Sequence, residues 1–276
     1  MYTRKTYDMG RYKEVHNYYS GNYGAPGKPR AKKKKLTPEE VADLNKKNRA
    51  RGLQRLILAN FKPGDWHVIL NYKPDSRPGT FKEADDNLDK FIKAMRRRCK
   101  KAGVPFKWIK MTERGKRGNI LHHHLIIEDI PGMNTASLVK ELWSHGNCYM
   151  VDLYEDGEYE KLAEYIVKKE TKDPEGGCNY SSSRNLIRPE PKTEKMLRRN
   201  WPAEPKAPKG WELIKDSIRN GVNPITEYPY QYYMMRRKEE DESRNLRRNR
   251  HKRPAKRSGP VRIRDRVLKE RRSDHT

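Results

Sequence analysis

Between residues 37 and 170 the apolar positions recur with two spacings, and the alternation between them divides the chain into elements. Thr37-Pro38-Glu39-Glu40 opens a helix, with a hydroxyl N-cap, a proline in the first turn and an acid three residues on; it runs to about Asn60. Trp66–Tyr72 (WHVILNY) is a strand by its β-branched and aromatic content. Thr80-Phe81-Lys82-Glu83 repeats the capping signal, and Ala84, Leu88, Phe91, Ile92, Met95 and Cys99 then share one helical stripe that Gly103 closes. Phe106–Glu113 (FKWIKMTE) and Ile120–Glu128 (ILHHHLIIE) are strands joined by the turn residues Arg114–Asn119, so the pair forms a hairpin. Asn134–Trp143 reads as a short helix and Cys148–Tyr154 as a strand. Glu158–Glu170 is a helix with Tyr159, Leu162, Ala163, Ile166 and Val167 on one stripe.

The order β-α-β-β-α-β, followed by a helix, places the chain in the α+β class. It is a split βαβ arrangement of the ferredoxin or RRM kind, a four-stranded antiparallel sheet with helices on one face and the other face open. Beyond Asn185 the sequence is rich in Pro and Lys, with a small apolar island at Trp211–Met235. Four segments result: a basic, Tyr-rich arm over 1–36, expected to be disordered; a domain with its leading helix over 37–188; a linker with a small docking element over 189–235; and a basic disordered tail over 236–276.

Charge sharpens this division. The 276 residues carry 63 Lys+Arg against 37 Asp+Glu, a formal net charge of +26, and only 33% are apolar. The arm to Leu36 holds ten Lys/Arg and two acids, and Arg236–Thr276 holds seventeen and seven. Such a chain collects polyanions, because each neutralised phosphate releases condensed counterions, and affinity of this kind is for any nucleic acid rather than one sequence. No apolar run is long enough to span a bilayer and no apolar segment follows Met1, so neither membrane insertion nor export is expected. Cys99, Cys148 and Cys178 form no CxxC pair, which argues against a zinc ribbon or disulfide framework and suits the cytoplasm.

Candidate chemistry lies in two places. His122, His123 and His124 sit mid-strand, where alternation sends His122 and His124 to one face, about 7 Å apart, and His123 to the other. Leu121, Leu125 and Ile127 share the side of His123, which makes it the helix-packed face. Two imidazoles on the open face can hold one divalent metal; the alternative is a polar patch on a solvated strand. Downstream, Tyr165 stands at the edge of its helix stripe with Lys168 and Lys169 one turn on. It is either an interface aromatic or a nucleophile, since a nearby cation stabilises a phenolate whose ordinary pKa is about 10.

Taken together, a basic chain, a split βαβ sheet, HxH on the strand after the hairpin and Tyr-x-x-Lys on the next helix resemble the HUH endonuclease superfamily. Within it, the chain is similar to rolling-circle replication initiators (Rep) of small plasmids and phages. The resemblance spans roughly Asp65 to Arg188 and rests on TERGKRG, ILHHHLII and AEYIVKKE, with WHVILNY at the family's first motif strand. It implies that His122 and His124, with Glu113 as a third ligand, bind Mg²⁺ or Mn²⁺. It further implies that Tyr165 attacks single-stranded origin DNA to give a 5′-phosphotyrosine and a free 3′-hydroxyl, with Lys168 or Lys169 positioning DNA or neutralising the phenolate. A host helicase and polymerase are the implied partners, because the chain has no GxxxxGK[ST] loop of its own.

The sequence departs from the family pattern at His123, where a bulky apolar residue is usual. Glu113 shares the parity of Ile109 and Met111, which places it on the packed face unless a bulge redirects it. His67 is a substitute ligand or a surface residue. With one motif tyrosine, termination requires a second monomer or another nucleophile, and Tyr180 lies nearby in sequence. Rival readings are a relaxase, in which the tyrosine precedes the histidines; a single-tyrosine transposase; and a non-catalytic RRM-like binder, which would need stacking aromatics where ILHHHLII has histidines.

Overall fold

The computed structural model describes residues 1–19, 35–115, 120–153, 159–167 and 180–238. Its secondary structure begins with strands β1 (Tyr2–Asp8) and β2 (Tyr12–Tyr18) and helix α1 (Pro38–Asn60). Strand β3 (Trp66–Leu70), helix α2 (Phe81–Lys101), strands β4 (Trp108–Arg114) and β5 (Leu121–Ile127), helix α3 (Thr135–Leu142) and strand β6 (Cys148–Asp152) follow. Helix α4 (Glu160–Ile166) precedes β7 (Ser181–Ser182), β8 (Pro191–Met196), β9 (Trp211–Val222) and β10 (Pro229–Arg237). Both expected capping signals operate: Thr37 accepts from the Glu40 amide with the reciprocal bond in place, and Thr80 accepts from the Glu83 amide.

The strands make two antiparallel five-stranded sheets, ordered β8-β1-β2-β10-β9 and β6-β3-β5-β4-β7. The second holds the expected α+β split βαβ core, extended at its edge by β7. Its strands alternate without a bulge between β4 and β5. One face carries Val68, Leu70, Leu125 and Ile127 against Leu88, Phe91, Ile92 and Met95 of α2 and Leu138 and Val139 of α3. The opposite face carries Ile109, Met111 and Ile126 against Leu53, Leu56 and Ile57 of α1 and Ala163 and Ile166 of α4.

This corrects the expectation of an open face. Helices cover both sides of the sheet, because α1, taken as a leading helix, buries its own apolar stripe there. It also removes the need for a bulge at Glu113: parity with Ile109 and Met111 is correct, and that face is the one bearing His122 and His124.

The expected disordered arm is a second correction. Residues 2–18 form a hairpin whose β1 pairs with β8 and whose β2 pairs with β10. The apolar island Trp211–Met235 supplies β9 and β10, so the first and last described segments complete one sheet. Its apolar content is modest because buried polar groups satisfy each other. Asn17 Nδ2 donates to Gln231 Oε1 at 2.9 Å, and Arg55 of α1 makes two bonds to the buried Glu14, at 2.5 and 2.8 Å. Residues 239–276, which hold most of the expected basic tail, lie outside the described residues. No described helix is long and apolar enough to cross a membrane.

Candidate active site

The register of β4 and β5 sets Glu113 directly across from His122 and Met111 across from His124. Directly paired and diagonal neighbours on one sheet face are within reach of long side chains. Glu113 Oε1 accordingly lies 3.1 Å from His122 Nε2 and 3.0 Å from His124 Nε2. All three residues offer a ligand atom within 4.8 Å of the others. Glu113 and His124 are buried, at 3% and 5% exposure.

A carboxylate taken this far out of water needs a cation or strong donors around it. One carboxylate and two imidazoles, three donors converging from one side, are a ligand set suited to a hard or borderline divalent ion with positions left open for substrate.

Behind this group, His67 Nε2 sits 3.0 Å from His124 Nδ1, with the two rings stacked at 5.2 Å. With His124 Nε2 committed to a metal, its Nδ1–H would donate to His67, fixing the tautomer and orientation of a prospective ligand. Burial first, then the neighbouring His124, pushes the His67 pKa down to about 4, so it is neutral and able to accept. His67 is half-buried and lies outside the group of ligand atoms formed by Glu113, His122 and His124. Its signal in the sequence was a polar residue inside an apolar strand, on the parity of Ile69, which pairs with His124.

His123 faces the α2 side and is fully buried, hydrogen-bonded to Tyr72 Oη at 2.7 Å and Thr112 Oγ1 at 2.9 Å. A tyrosine and a threonine positioned to satisfy an imidazole explain how a polar residue occupies a position where the resemblance leads to the expectation of an apolar one.

Helix α4 brings in the tyrosine. Ala163, Ile166 and Val167 are buried against α1 and the sheet, and Tyr165, at the edge of that stripe, is 40% exposed and turned to the triad. Its hydroxyl donates to Glu113 Oε1 and lies 3.3 Å from His124 Nε2. Burial, and then the bond to the Glu113 carboxylate and its charge, hold the phenol above its ordinary pKa of 10.0. The helix starts at Tyr159 with φ of 58°, a left-handed conformation costly for a residue with a side chain; its ring packs against both apolar clusters that flank α1. Lys168 and Lys169 lie outside the described residues, and Tyr180 packs against the α1–α4 cluster.

Residues 65–173 match the family model of the replication-associated protein ORF2. Over this segment the chain is similar to that family. The matched segment takes in β3 to α4, and so the whole cluster of Glu113, His122, His124 and Tyr165, while the other sheet lies outside the match. No curated protein and no solved structure matches the chain.

Proposed function

We propose that the protein is a rolling-circle replication initiator that nicks single-stranded origin DNA with Tyr165 as nucleophile. The observation that carries this reading is the Tyr165 hydroxyl bonded to Glu113 and 3.3 Å from His124 Nε2. A nucleophile and a metal-ligating set brought together from separate elements is what a phosphoryl-transfer site requires. The match to a replication-associated family supports the DNA partner and the role in replication.

Glu113, His122 and His124 would hold the ion, Mg²⁺ or Mn²⁺; when bound, it supplies Lewis-acid polarisation of the scissile phosphate and offsets charge on the leaving oxygen. The other parts of the reaction belong to the chain. His67 orients His124 through Nδ1. Glu113 Oε1 holds the phenolic proton and aims the Tyr165 oxygen at the site where phosphate binds. The tyrosine oxygen forms a bond to phosphorus as the P–O3′ bond breaks, leaving a 5′-phosphotyrosine and a 3′-hydroxyl that takes up a proton. Attack by a 3′-hydroxyl in the reverse sense rejoins the strand without an external energy source. Lys168 or Lys169, following Tyr165 by three or four positions, positions the DNA or neutralises the phenolate. The 3′-hydroxyl primes a host polymerase, with unwinding left to a host helicase in the cytoplasm.

The test is cleavage of labelled single-stranded oligonucleotides tiled across the DNA flanking the gene, with Mn²⁺ and with EDTA. Cleavage that requires the metal and is lost in the His122→Ala/His124→Ala double variant supports the reading. Retained cleavage in EDTA, or in that variant, overturns the metal assignment.

A further inference from the structure

On the α2 side of the second sheet, opposite the face of Glu113 and Tyr165, the C-terminal half of α2 and the segment following β7 wall a cavity of about 1130 Å³. Lys93, Arg96, Arg97 and Lys100 line it from the helix and Arg184 from the other wall. The four helix residues are spaced i, i+3, i+4, i+7 and so form one stripe beside the apolar stripe that α2 buries. All five are exposed, no acid is among the lining residues, and none of the five makes an ion pair with a described residue. By contrast Arg98, on the adjoining face of the same helix, is paired with Glu141. Unpaired like charges held on both walls of one groove repel each other, and a polyanion relieves that repulsion. A positively charged groove of this kind can track the backbone of a single strand.

We infer that this groove is a second DNA site, one that holds single-stranded DNA by its phosphates on the back of the domain, away from the strand presented to Tyr165. It deepens the DNA-partner reading without depending on nicking: loss of adduct formation would leave the binding measurement below unaffected. The occupant is a strand already separated from its complement, held without regard to sequence, because phosphate contacts carry none.

The test is fluorescence anisotropy of a labelled dT20 oligonucleotide with the full chain across a range of NaCl concentrations. The groove variant is Lys93→Ala/Arg96→Ala/Arg97→Ala/Lys100→Ala, in which alanine preserves helix propensity. A matched variant, Lys46→Ala/Lys47→Ala/Arg49→Ala/Lys195→Ala, removes equal charge elsewhere. A single-strand contact contributes about 0.7 to the slope of log affinity on log salt, or about fourfold in affinity at 0.15 M, so the groove variant loses up to about 3 in slope and at least about tenfold in affinity. The matched variant loses less than half as much. In the wild-type complex dT20 shields Lys93 and Lys100 from acetylation, read by mass spectrometry. Equal losses in the two variants, or no shielding of those lysines, would overturn the site. A larger loss for a 20-base-pair duplex than for dT20 would overturn the single-strand assignment.

Discussion

His123 offers the sharpest quantitative test of how the site strand is built. Its imidazole is fully buried between Tyr72 and Thr112, and burial, reinforced by His122 and Lys110, pushes its pKa from 6.5 down to about 3. In the unfolded chain the same group titrates near 6.5. Between these two values the unfolded state binds the extra proton and the folded state does not, so the contribution to stability falls as pH falls through 6.5 and levels off below 3. From pH 7 to pH 5 the expected loss is about 2 kcal/mol. His123→Leu removes the titrating group and restores an apolar residue, but leaves the Tyr72 and Thr112 hydroxyls each short of a partner, which costs about 1–3 kcal/mol at pH 7. Urea unfolding followed by tryptophan fluorescence suits the measurement, since Trp143 lies 5.5 Å from the His123 ring. The variant should be less stable than wild type at pH 7 and should show about 2 kcal/mol less destabilisation between pH 7 and pH 5. Equal pH dependence in the two proteins would refute the reasoning, because it would mean that His123 is not held neutral by its burial.

Other expectations follow from named contacts. His67→Phe keeps the ring volume but removes the acceptor at His124 Nδ1, and should weaken Mn²⁺ binding about 10–100-fold by calorimetry, with the fold intact by circular dichroism. Glu14→Gln strips the carboxylate from Arg55 beneath the first sheet and should cost about 3–5 kcal/mol in urea unfolding. Burial works against the Glu14 carboxylate, but Arg55 and His16 hold its pKa down at about 2, so its stabilising contribution is complete above 4.5 and is lost as pH falls towards 2. Gly146→Ala would place a Cβ 2.3 Å from the Asn71 carbonyl oxygen and 2.7 Å from the Lys73 amide, both backbone; the strand end must move, and a loss of at least about 2 kcal/mol is expected.

The site strand was legible in the sequence because alternation leaves little choice. Leu121, Leu125 and Ile127 assign one face of β5, and His122 and His124 must then share the other. Glu113 was legible in parity and misread in environment. The error came from treating the sheet as covered on one side, when α1 carries Leu53, Leu56 and Ile57 at the spacing needed to cover the other. Of the first sheet only the apolar island Trp211–Met235, which supplies β9 and β10, was legible. The sheet's strands join residues 2–18 to residues 191–237, and partners that far apart leave no local signal. Its buried positions include Glu14, Asn17 and Gln231, whose burial makes sense only once their mutual hydrogen bonds are known. Charge patterning pointed to a solvated arm because nothing in residues 1–36 shows that Arg55 neutralises Glu14 and lies over the Tyr7 ring.

The most direct test of the central proposal is to locate the covalent bond. The full chain would be incubated with Mn²⁺ and the cleaved oligonucleotide, digested with trypsin and nuclease, and the nucleotide-bearing peptide identified by mass spectrometry. The account predicts a phosphonucleotide on the peptide Leu162–Lys168, carried by Tyr165, and no adduct in Tyr165→Phe although that variant still binds the oligonucleotide. An adduct on a peptide containing Tyr180, or one that persists in Tyr165→Phe, would contradict it.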